Sequence, residues 1–131
     1  MNFKLAIIGG GAAGFFAAIN AAEMSPDMEV HVFEKAAQFL SKVRVSGGGR
    51  CNVTHACFNP KELIQFYPRG SRELLGPFYV FNPADTIEWF EKRRVKIQAE
   101  ADGRMFPVTN TSQTIIDCFL QEAEHYNVQL H

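Results

Sequence analysis

Two glycine clusters govern what this chain can fold into: Gly9-Gly10-Gly11-Ala12-Ala13-Gly14 near the start, and Gly47-Gly48-Gly49 within residues 46–54, with Glu34 between them. The first follows the apolar run Leu5-Ala6-Ile7-Ile8 and precedes an alanine-rich segment ending at Met24, where a strand hands over to a helix. Its glycines then have separate tasks. Gly9 permits a tight turn, Gly11 lets the main chain approach a pyrophosphate, and Gly14 lets the helix lie close on the strand. Ala12 and Ala13 open that helix, whose unpaired N–H groups and dipole favour an anion by about 0.3–1 kcal/mol at a screened surface.

Glu34 lies 20 residues beyond Gly14, at the end of the β-branched and aromatic run Glu29-Val30-His31-Val32-Phe33-Glu34. At that distance its carboxylate can accept from the two ribose hydroxyls of an adenosine, and its charge would repel a 2′-phosphate. FAD or NAD fits this first site better than NADP.

A length of 131 residues suits one ordinary domain. Hydrophobic residues at 47% and charged residues at 21% leave no case for long disorder. The net charge of -1 argues against nucleic acid or an anionic membrane as partner and favours a small molecule. Residues 1–22 have some likeness to a secretory signal, but their glycines suit a turn better than an apolar signal helix. No run of 18 apolar residues could span a membrane. Cys51, Cys57 and Cys118 are too few and odd in number for a secreted disulfide framework, so the expected location is the cytoplasm.

Patterning predicts a fully buried strand over 4–9, a helix to about residue 24, a second parallel strand over 29–34, and a long aperiodic connection over 35–59. Pro60 and Pro83 each start a helix after an asparagine. Residues 95–99 read as a strand of a small side sheet, ended by the turn pair Asp102-Gly103. Thr111 or Ser112 caps a last helix with an apolar stripe of Ile115, Ile116, Phe119, Leu120 and Ala123, followed by a strand at 128–130. A sheet of order 3-2-1-4 would lack its fourth strand here, leaving strand one with an open edge. The chain is therefore expected to be a fragment of a longer protein, or to be completed by a partner such as a second copy.

The second cluster narrows the cofactor. Ser46-Gly47-Gly48-Gly49-Arg50-Cys51-Asn52-Val53-Thr54 closely resembles the S-G-G-G-R-C-N-V-T signature of the BaiN-like bacterial FAD-dependent oxidoreductases, often labelled NAD(FAD)-utilising dehydrogenases. Gly103-Arg104-Met105-Phe106-Pro107 looks like the same family's G-R-x-F-P segment. The resemblance covers essentially the whole chain. It departs at Leu40-Ser41-Lys42, where the family's G-x-K lacks its glycine, and at His55, where asparagine is frequent.

What the resemblance implies is an α/β fold: a Rossmann-type FAD-binding domain with a partial parallel sheet and a small additional α+β segment, residues 1–131 being its N-terminal part. Gly9, Gly11, Ala12, Ala13 and Gly14 would meet the pyrophosphate, Glu34 the ribose, and Lys35 would flank the adenosine. Lys42, Ser46, Gly47, Gly48, Gly49, Arg50, Cys51 and Asn52 would line the cofactor towards the flavin, where donors stabilise the negative charge of the reduced ring. The implied activity passes a hydride from NAD(P)H through FAD to an organic substrate, with some relatives reducing conjugated carbonyl compounds. No residue qualifies as a general acid or base.

Two rival readings remain. Cys51 and Cys57 are similar to the flavin-side pair of pyridine-nucleotide disulfide reductases, but the spacing is C-x5-C instead of C-x4-C. The chain could also be a nucleotide-binding module without turnover. Cys51, His55 and Cys57 match no common zinc spacing, so no metal is expected.

Overall fold

The opening apolar run forms β1 (Lys4–Ile8), and the glycine cluster turns it into α1 (Ala12–Met24). The β-branched run that follows is β2 (Glu29–Phe33), parallel to β1, with Leu5 opposite Val30 and Ile7 opposite Val32. This computed structural model describes residues 3–131; Met1 and Asn2, the first residues of the expected 1–131 domain, lie outside them. The chain divides into two units, one built from residues up to Cys51 together with Thr111–His131, the other from Asn52–Asn110.

In the first unit α2 (Ser41–Gly49) follows β2, and the last helix, here α6 (Ser112–His125), leads into β6 (Gln129–Leu130). The sheet order is β1-β2-β6, all parallel, the 3-2-1 portion of the expected order. Helix α1 packs on β1, β2 and α6. Phe15 lies at the centre of that layer, fully buried, 5.7 Å from Phe39 in an edge-on arrangement and 6.0 Å from Phe119. Burying one such ring stabilises the unit by about 1.5–3 kcal/mol, more than any cap in it.

The expectation of a fully buried first strand is corrected. Lys4, Ala6 and Ile8 are exposed, Ile8 at 83%, because the sheet is covered on one face only among the described residues. The open face is polar and aromatic along β2 and β6: Glu29 takes Lys4 and His31 at 2.8 Å each, His31 meets His131 at 2.9 Å, and His131 stacks on Phe33. Leu120, assigned to the stripe of the last helix, is 37% exposed, whereas Ile115, Ile116, Phe119 and Ala123 are buried as expected.

The connection over 35–59 is not aperiodic. It contains α2, whose preceding residue Leu40 is left-handed (φ 59°) and fully buried, so no polar cap announces the helix. Buried Ser112 fastens α2 to α6 by donating from Oγ to the Arg44 carbonyl at 2.9 Å.

The second unit is the additional α+β segment. Its antiparallel sheet has the order β3-β5-β4, from β3 (Thr54–His55), β4 (Ile97–Ala99) and β5 (Arg104–Pro107). Its helices are α3 (Pro60–Leu63), α4 (Ser71–Val80) and α5 (Pro83–Glu91), with a 3-10 turn at Ile64–Phe66. Both prolines start helices as expected, and Asn82 with Asp85 closes a reciprocal cap on α5. Helix α4 was not foreseen, since it contains Gly76-Pro77 and buries no residue.

Gly14 carries the tightest demand in the first unit: a Cβ there would run into the Gly9 carbonyl oxygen. Gly14→Ala is expected to lower stability by about 1–3 kcal/mol through forced separation of α1 from the turn. Urea unfolding monitored by circular dichroism measures this, and an unchanged midpoint would refute the close-approach role.

Candidate functional site

The turn between β1 and α1 is held from the β2 side. Gly9 N–H donates to the Phe33 carbonyl at 2.8 Å, and Gly10 N–H donates to Glu34 Oε2 at 2.8 Å. Glu34 Oε1 accepts from Ala36 N–H at 2.8 Å. These backbone donors, Ala36 first and then Gly10, hold the Glu34 carboxyl below its ordinary value of 4.5, so it is a carboxylate at neutral pH. A carboxylate has about four acceptor positions. Ala36 and Gly10 take two of these and the Lys35 N–H adds a weaker third interaction, which still leaves an acceptor position for a ribose hydroxyl.

Gly10 was not among the expected site residues. Its role is spatial as well as polar, because a Cβ there would meet the Phe39 ring and lie 3.0 Å from Glu34 Cβ. Its carbonyl accepts from Leu40 N–H at 2.8 Å, so one residue ties the turn to both ends of the 35–40 loop. The signal was present as the middle glycine of Gly9-Gly10-Gly11 but belongs to no position of the G-x-G-x-x-G pattern.

Gly11 stands at the N-cap of α1, where a Cβ would meet nothing within 4 Å. No side chain caps this helix and no acidic residue occupies its first turn. Ala12 and Ala13 are both exposed, and their N–H groups are among the donors that a helix start leaves unpaired. An open rim, an uncapped helix start and a fixed carboxylate with a spare acceptor together fit the pyrophosphate and ribose of a dinucleotide.

Lys35 is exposed beside Glu34, and Lys42 is exposed on the first turn of α2. Beyond Val45 the helix breaks: Ser46 is extended (ψ 149°), and Gly47, Gly48 and Gly49 have φ of 56°, 68° and 88°. Three consecutive left-handed residues need glycine. The resulting loop has open space over Gly48 and Gly49, where a Cβ would touch nothing within 4 Å. Ser46 Oγ donates to the Val43 carbonyl at 3.0 Å, and the Ser46 carbonyl accepts from the N–H groups of Arg50 and Cys51. Arg50 is half-buried at the end of α2, and Asn52 is exposed at the start of the second unit.

Cys51 is buried, and burial pushes its thiol above the ordinary value of 9.0 against a smaller, opposing hydrogen bond with Ser46. It is a neutral thiol at physiological pH. All three cysteines are free. Among the described residues no group of three or more His, Cys, Asp or Glu side chains could hold a metal ion, and no helix is long and apolar enough to cross a membrane.

Residues 3–131 match the HI0933-like protein Rossmann domain family. Similar curated proteins are the 3-dehydro-bile acid delta(4,6)-reductase of Clostridium scindens, 26% identical over 98% of this chain, and the ribosomal RNA dihydrouridine synthase of Escherichia coli, 29% identical over 97%. The chain spans 30% of the length of each. Among solved structures, Thermovibrio ammonificans THI4 has the same fold, with a TM-score of 0.61 at 12% identity over 98% of this chain and 37% of that one. The glycine turn, the parallel sheet and the match over residues 3–131 lead to one assignment: this chain belongs to the HI0933-like Rossmann-domain family.

Proposed function

We propose that this chain is the cofactor-holding part of an FAD-dependent oxidoreductase that takes a hydride from NAD(P)H and passes it to an organic substrate. The observation that carries this reading is the open main-chain rim at Gly11 and α1, set beside a Glu34 carboxylate fixed by Gly10 and Ala36. FAD, when bound, supplies the hydride chemistry. The chain's own residues do the holding: the uncapped helix start takes the pyrophosphate, Glu34 takes the ribose, and Lys35 and Lys42 offer exposed positive charge. The bare loop at Gly47, Gly48 and Gly49, with Arg50, Cys51 and Asn52 after it, is assigned to the cofactor towards its flavin end.

The curated relatives support a reductase. Their names describe the reduction of a bile-acid carbon skeleton carrying ring double bonds and the formation of dihydrouridine, both of which saturate a carbon–carbon double bond. For this chain we infer the same class of acceptor, an unsaturated carbonyl compound. Three free thiols agree with a cytoplasmic setting. The outer edge of β1, unpaired among the described residues, favours completion by a further strand or a second copy. Sedimentation at rising concentration is expected to reveal association of the 131-residue chain, and a clean monomer would remove the second copy.

The disulfide-reductase alternative is disfavoured by the neutral, buried thiol of Cys51, since the thiolate is the reactive form. With a thiol reagent, native protein should expose Cys57 while buried Cys51 and Cys118 react only on unfolding. Counts that change on prior reduction would revive the redox pair.

Purified protein should carry a flavin spectrum or acquire one with added FAD; colourless protein that rejects FAD supports a nucleotide-binding module without turnover. Glu34→Gln exchanges charge-assisted for neutral hydrogen bonds and should weaken FAD by about tenfold. The pH dependence has a fixed sign. Because the folded carboxyl titrates below 4.5, its contribution is complete above that value and lost as pH falls through the lowered one. FAD titrations in wild type and Glu34→Gln should therefore converge in acid; a constant difference at every pH would remove Glu34 from the site.

A further inference from the structure

The second unit contains a cleft of about 370 Å³, formed by β3, the Ile64–Phe66 turn, the end of α4 and the start of α5. Pockets of a few hundred Å³ with aromatic walls and a few polar groups are the usual form of small-ligand sites. Its walls include Phe66, Tyr67, Phe78 and Phe81. Three of these remain unusually bare, with Phe66 at 60%, Tyr67 at 39% and Phe81 at 38% exposure. Tyr67 packs on Phe78 at 5.5 Å, and α4, which carries Phe78, buries none of its residues, so the aromatic wall stays at the surface.

The polar lining divides into spent and unspent groups. Asn82 Oδ1 is committed to Ala84 N–H at 2.8 Å, and Thr86 Oγ1 donates to the Asn82 carbonyl at 3.4 Å. The side chains of Asn52 and Thr54 and the ring nitrogens of His55 make no hydrogen bond with any described residue. All three line the cleft, on and just before β3.

His55 is held in place without using its nitrogens. One side of the imidazole lies against Gly103, where an added Cβ would come within 2.5 Å of Cε1 and 2.9 Å of Nε2. The other contact is the Phe66 ring, 4.3 Å away between centroids. The backbone fixes the same pair, because Ala56 N–H donates to the Gly103 carbonyl at 2.8 Å and His55 pairs with Arg104. A clamped ring with free nitrogens is arranged to hydrogen-bond something that is not protein.

We propose that this cleft binds a flat, conjugated ring bearing a carbonyl group, stacked on the aromatic wall, with His55 hydrogen-bonding its polar edge. Calling that ring the hydride acceptor rests on the flavoprotein reading above; the binding site itself does not. Asn52 belongs to the stretch assigned to the cofactor, and the unspent groups beyond it, Thr54 and His55, are left for a second molecule.

The test uses uracil and dihydrouracil as probes of the full chain, by NMR of the backbone amides and the His55 ring, with and without FAD. Both probes carry the same imide edge, and only uracil is flat and conjugated. Saturable shifts at residues 52–55 and Phe66 are expected with uracil, with dihydrouracil about tenfold weaker for want of stacking. Tyr67→Ala and His55→Ala should each weaken uracil, and Gly103→Ala should do so by displacing the imidazole, while Trp89 fluorescence and circular dichroism report an intact fold. No saturable shift, equal binding of both probes, or displacement of uracil by lumiflavin, the flavin ring without its ribityl chain, would overturn the proposal. Visible absorption scores FAD separately, so uracil binding to a chain that rejects FAD sinks the flavoprotein reading and leaves the cleft standing.

Discussion

The closeness of α1 to the turn before it is the constraint on which the first unit depends. Gly14 lies against the Gly9 carbonyl with no space for a methyl group, and that contact sets where the helix begins and which way it points. Phe15, the next residue, is thereby delivered into the core against Phe39 and Phe119. Burial of the ring outweighs the helix-dipole term several-fold, so packing holds the helix and its start needs no side-chain cap. Had an aspartate or serine capped α1, the same donors would already be satisfied.

Glu34 acts on the other side of that turn. Its carboxylate accepts from Gly10 and Ala36, and the Gly10 carbonyl accepts from Leu40. A loop with little regular structure is thus tied at both ends to one glycine, while buried Leu40 anchors it in the core. Charge placement and loop order arise from the same hydrogen bonds. The negative charge at the strand end costs little to maintain, because backbone donors and solvent both stabilise it, and its lowered pKa keeps it ionised at neutral pH.

Those parts of the fold set by local chemistry were legible in the sequence. Strand, glycine turn, helix and acidic strand end follow from residues 4–34 alone, as do the Asn59-Pro60 and Asn82-Pro83 helix starts and the side chain of Thr111 that accepts from Gln113 N–H. What escaped were features whose cause lies elsewhere in the chain. Helix α2 starts from a left-handed Leu40, a conformation imposed by burial and by the bond to Gly10. The pairing of Thr54 with Met105 joins residues too distant for any periodicity to link. The continuous apolar pattern of β1 was read as two buried faces, yet apolarity reports only what a strand can tolerate and not how many layers cover it.

The two glycine-rich regions reach similar openness by different physics. At Gly11 the backbone is ordinary (φ −91°), and the space above it exists because the helix start has no cap. At Gly47, Gly48 and Gly49 the backbone is left-handed for three residues running, and a helix is broken to make it so. Glycine adopts that conformation without strain, and an added Cβ at Gly48 or Gly49 would meet nothing within 4 Å. The neighbouring Cys51, also left-handed (φ 63°) but buried, closes the loop with its N–H on the Ser46 carbonyl, so the glycine run is anchored at its end by a buried residue.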